Sequence, residues 1–86
     1  MGDIEYPESP FWPPLDSVVG DRCREFEFIG QVKQDGMLIF LYKHTITRKY
    51  LNINLYDQTY RYRVDSGRYF LISQEEALNH VFGSKP

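Results

Sequence analysis

Cys23, His44 and His80 are the only thiol and imidazole side chains in the sequence. No two of them stand at a ligand spacing such as C-x-x-C or H-x-x-x-H, and a structural zinc site wants four ligands. A cysteine and one histidine would suffice for a nucleophile and its base. Isolated residues of these types occur in almost any domain, so no metal, no cofactor and no catalytic group is expected. The carboxylates say as little. Glu25 and Glu27 share one face of an alternating segment, and Glu75 and Glu76 open a helical pattern where they complement the macrodipole. There is no P-loop and no G-x-G-x-x-G, because the glycines fall at turns and chain ends.

The chemistry with most promise lies in residues 47–64, TRKYLNINLYDQTYRYRV. This stretch holds four basic residues, four tyrosines and one acid. Arginines and lysines could meet phosphates while tyrosines stack on bases, which is how many sheets hold single strands. Large aromatics and arginine also anchor protein interfaces. Against a general attraction to polyanions, the net charge is −2. The charge is unevenly placed. Residues 1–28 carry seven acids against two bases, and residues 43–68 carry six bases against two acids. The glycines of an RNP segment are missing from RKYLNINL.

Whether such a surface exists depends on the elements that carry it. At 86 residues the chain makes one domain with a thin core. An aromatic share of 16% favours pleated, half-buried surfaces and so a β-rich fold. A single cysteine forms no internal disulfide, which points to a reducing, cytoplasmic setting. The start MGDIEYPESP lacks the charged and apolar regions of a signal peptide, and no apolar run approaches a membrane span.

Residues 1–22 read as an arm, with Pro7, Pro10, Pro13 and Pro14 among the aromatics Phe11 and Trp12. Residues 16–22 allow one helical turn. From Arg24 the pattern alternates, with Phe26, Phe28, Gly30 and Val32 expected on one side. Asp35-Gly36 is a hairpin signal, since both turn positions need positive φ. MLIFLY follows, apolar on both faces. RKYLNINL, TYRYRV and RYFLI complete five strands, with Asp65-Ser66-Gly67 as turn chemistry between the last two. Ser73 and Glu76 form a capping box, and Gly83 ends a helix over residues 74–82. The expected fold is α+β: a five-stranded antiparallel meander over residues 24–72 and a C-terminal helix. A small SH3-like barrel is the alternative.

Matching apolar with apolar positions sets Leu41 beside Leu51 and Ile39 beside Ile53. The same test sets Leu55 beside Tyr60, Ile53 beside Tyr62 and Leu51 beside Val64. One face is then strongly apolar. The other carries Phe40, Tyr42, Tyr50, Asn52, Asn54, Arg61, Arg63 and Tyr69, the candidate interaction face. A short helix covers one face at most, so the second needs the arm, another subunit or a ligand. The expected function is a non-enzymatic interaction module or accessory subunit. It would bind a protein partner or a second copy through this face or an edge strand. The alternative is a single-stranded nucleic-acid binder; a small enzyme is a third, weaker reading.

Overall fold

The computed structural model describes residues 12–83. Helix α1 spans Trp12–Val19 and runs into a 3₁₀ segment, Gly20–Glu25. Five strands follow: β1 Phe26–Gln34, β2 Met37–His44, β3 Tyr50–Asn54, β4 Thr59–Arg63 and β5 Arg68–Ile72. Helix α2 spans Gln74–Phe82. The strands form one antiparallel sheet in meander order β1-β2-β3-β4-β5, as the sequence predicts.

The expected arm is partly helix. Pro13 and Pro14 sit in the first turn of α1, where a missing N–H costs nothing and the fixed φ suits the helix. Leu15 is fully buried beneath it. The remaining proline-aromatic positions, Pro7, Pro10 and Phe11, lie outside the described residues, as does the side chain of Trp12.

The turns are where the pattern succeeds and where it fails. Asp35 and Gly36 take φ of 51° and 82° and close β1 onto β2 with Gln34 opposite Met37, as the dipeptide predicts. Upstream, Ile29 forms a β-bulge between Phe28 and Gly30. One extra residue sends Phe26 and Phe28 to one face and Gly30 and Val32 to the other, so the expected single-sided alternation is broken. Between β2 and β3 the turn takes one residue more than expected. His44 N–H bonds Lys49 O at 2.9 Å, and Arg48 adopts φ 68°. Tyr42 thus faces Leu51 and Phe40 faces Ile53, one step away from the predicted register. Between β3 and β4 the pairs are Asn52 with Tyr60 and Ile53 with Thr59, three steps away. Both slips are odd, so both swap faces. The expectation that Leu51 and Tyr62 share a face is therefore overturned. MLIFLY tolerates either register because it is apolar on both sides.

Both helices pack on the same face of the sheet. Leu15 of α1, Ala77 and Val81 of α2 and the sheet residues Phe26, Phe40, Tyr42, Leu51 and Ile53 make one buried cluster. Helix α2 has the predicted caps: Glu76 N–H donates to Ser73 Oγ at 3.0 Å, and Gly83 takes φ 64°. The opposite face is concave, with Ile39, Asn52, Asn54 and Tyr60 buried on it. The sheet curls but does not close into a barrel. Its outer strands are bridged by one side chain: Gln34 Nε2 donates to Tyr69 O at 2.9 Å, and Tyr69 N–H donates to Gln34 Oε1 at 2.8 Å. The Gln34 amide thus stands in for a backbone partner at the β5 edge. Arg68 and Asp35 form an ion pair beside it.

Candidate functional site

The β3–β4 ladder has only two residue pairs, whereas β4 and β5 pair along their whole length. Beyond Tyr60, strand β4 parts from β3. A trough of about 430 Å³ opens on the concave face along this split. Its rings are Tyr50, Tyr62 and Tyr69, and its aliphatic floor is Ile29 and Leu41. Asn52 adds a polar group, Lys49 and Arg61 supply the positive charge, and the His80 imidazole completes the lining. Arg61 pairs with Phe70 on the helix side of the ladder, and His80 belongs to α2. Their presence in the lining shows that the trough reaches through the split. None of its lining residues is acidic. Tyr50 and Tyr62 are 41% and 45% exposed, and the rings of Tyr62 and Tyr69 pack with centroids 4.9 Å apart.

Of the eight residues expected on the interaction face, Tyr50, Asn52, Arg61 and Tyr69 meet in this trough. Phe40 and Tyr42 do not; the register slip puts them in the core under the helices. Burial raises the Tyr42 hydroxyl pKa well above the usual tyrosine range. Arg63 lies outside the trough, with its guanidinium 5.2 Å from the Phe70 ring centroid and 3.5 Å from Asp65. Asn54 is fully buried and structural. Its Oδ1 accepts from the backbone N–H groups of Tyr56 and Gln58, and its Nδ2 donates to Gln58 Oε1 and Tyr60 Oη. Ile29, Leu41, Lys49, Tyr62 and His80 are trough residues that alternation misses. The bulge brings in Ile29, and the register slips bring in Leu41 and Tyr62. Lys49 and Tyr62 had a sequence signal in the basic, tyrosine-rich stretch 47–64, and His80 had one in its place beside the apolar stripe of α2.

Asn52 holds the most informative atom of the trough. The residue is 4% exposed, and its Nδ2 donates to Tyr60 O at 3.3 Å. Its buried Oδ1 has no hydrogen-bond partner among the described residues. Leaving a buried acceptor unmet costs about 1–3 kcal/mol. His80 reports the field at the same end. Burial, then Arg61 and Lys49, hold its pKa below the usual histidine range.

One cluster has the outline of a catalytic triad. His44 Nε2 lies 2.7 Å from Glu25 Oε1, and its Nδ1 lies 3.1 Å from Thr47 Oγ1. The Thr47 backbone N–H also donates to Nδ1 at 3.2 Å. That bond uses the lone pair a general base would need, and it leaves the proton on Nε2, donated to Glu25. The ring is enclosed by Phe26 and Phe82 with centroids at 4.9 and 5.0 Å. The cluster therefore pins the β2–β3 turn to the 3₁₀ segment and α2, and explains why that turn overrides the apolar pattern. Cys23 stands apart. Burial, and then Asp16, push its thiol upward and disfavour the reactive thiolate. Among the described residues no group of three or more His, Cys, Asp or Glu side chains is placed to hold a metal. Among them, too, no helix is long and apolar enough to cross a membrane.

The chain matches no family model, no curated protein and no solved structure.

Proposed function

We propose that this chain is a non-enzymatic binding module whose working surface is the concave trough, which grips an extended, anionic partner segment. The observation that carries this reading is the joining of three tyrosines to Lys49, Arg61 and His80 in one open trough without an acid. Tyrosine and arginine give large contact energies for little lost side-chain freedom. A positive rim also speeds the encounter with an anion. The Glu25–His44–Thr47 cluster is enclosed and internally satisfied, which supports a binding role over a catalytic one. The single, unpaired Cys23 supports a cytoplasmic setting.

The test is residue-resolved. Backbone amide spectra would be followed as an acidic Glu/Tyr copolymer or a single-stranded oligonucleotide is added. The expected result is a set of shifts confined to Tyr50, Asn52, Tyr62, Tyr69 and their neighbours. Shifts concentrated on α1 and the outer face of α2, or none with either polyanion, overturn the reading.

A further inference from the structure

Resting on that reading of the trough, we infer that its occupant is a single strand of nucleic acid, one base of which donates an N–H to Asn52 Oδ1. Four observations meet here. First, the unmet acceptor of Asn52 is nine-tenths buried in a side chain lining the trough, so a ligand donor would gain what the free protein lacks. The amino groups of adenine and cytosine are such donors. Second, Tyr50 and Tyr62 are both exposed on the same concave surface, and base–aromatic stacking gives about 1–3 kcal/mol per base.

Third, a second cavity of about 480 Å³ adjoins the first and shares Tyr62 and Tyr69 with it. Two cavities that share a pair of lining rings suit the path of an extended chain more than a compact molecule. Fourth, cations lie along that path. Lys49 and Arg61 stand at one end and Lys33 at the other. The only acid in either lining is Asp35, which is ion-paired with Arg68. An acidic peptide would satisfy the cations but give the rings a flat partner only where it carries aromatic side chains, whereas every base of a single strand is one. Asn52 Oδ1 lies below the surface, so the base must displace the wall above it. That wall is weakly held, because only two residue pairs join β3 to β4.

The test is fluorescence anisotropy with three probes: a single-stranded oligo(dA) of about a dozen nucleotides, a base-free strand of the same length, and the Glu/Tyr copolymer. Phosphate contacts by Lys49, Arg61 and Lys33 predict that oligo(dA) binds about 100-fold more weakly after a tenfold rise in salt. The base-free strand keeps the charge and loses the stacking, so it should bind at least tenfold more weakly than oligo(dA). Tyr62→Ala and Lys49→Glu, both at exposed positions, should each weaken oligo(dA) binding about tenfold while the urea midpoint stays near that of the parent protein. Asn52→Ala should narrow the difference between the two strands. If the base-free strand binds as well as oligo(dA), or if only the copolymer binds the trough, the nucleic-acid assignment fails and the binding-module reading stands. If none of the probes binds, both fail.

Discussion

Replacing Asn54 with alanine tests the element that sets the trough's far wall. Asn54 is fully buried, and its side chain makes four hydrogen bonds of 2.8–3.0 Å. Two hold the backbone N–H groups of the β3–β4 turn, where Asp57 takes φ 64°. A third, to Tyr60 Oη, is buried. At about 1 kcal/mol net for each bond, with water replacing the exposed ones, Asn54→Ala should cost about 2–4 kcal/mol. A chain of this length holds only roughly 4–13 kcal/mol in total. The assay is urea unfolding. With a slope of about 1 kcal/mol per molar, the midpoint should fall by about 2 M or more at unchanged slope. Gln58→Ala removes one side-chain bond and should shift it by well under half as much. Because the ladder beyond the turn has only two pairs, Asn54→Ala should also erase the cross-strand contact between Ile53 and Thr59 in solution spectra and weaken any ligand of the trough. A shift below about 0.5 M, with that contact intact, would refute the view that Asn54 fixes the position of β4.

Gln34→Ala removes both bonds to the Tyr69 backbone. The expected loss is about 1–2 kcal/mol, with amide exchange accelerating at Tyr69 rather than in the helices. Unchanged exchange would mean that the outer strands are held apart by something else. The Arg22 guanidinium beside Glu25, and then His44, hold the Glu25 carboxyl below its ordinary pKa of 4.5. The stability this gives is complete above that value and is lost as pH falls through the lowered one. Acid titrations of the urea midpoint should therefore be flatter for Glu25→Gln than for the parent. His80 has the opposite charge type. With its folded pKa below 6.5, the unfolded chain takes up the proton first, so stability declines as pH falls below about 6.5. His80→Gln should remove that decline, and an unchanged profile would mean that His80 is neither buried nor close to Arg61 and Lys49.

Element types were legible in the sequence wherever one residue or one short spacing decides them. Asp35-Gly36 needs only its own φ preferences to make a hairpin. Ser73 and Glu76 cap α2 through a bond three residues long. Five strands, their meander order and the terminal helix followed from such local rules. The trough was half legible. Tyr50, Asn52, Arg61 and Tyr69 were marked by their chemistry, but Phe40, Tyr42, Arg61 and Arg63 fall on the helix side of the sheet and not on the expected face with Tyr50 and Tyr69.

Local rules therefore determined the five strands and the C-terminal helix, though not helix α1, because those choices are made within a few residues of chain. Only the tertiary structure decided which faces meet. In MLIFLY either register buries apolar side chains, so the pattern is indifferent and the turns choose. One turn is set by His44, gripped by Glu25 nineteen residues upstream, and the other by Asn54. The bulge at Ile29 and the clasp of Gln34 on Tyr69 complete the curl. Asn54 acts on its own turn, within six residues, whereas His44 and Gln34 act through a partner that lies elsewhere in the fold. Residue spacing along the chain does not record such a partner.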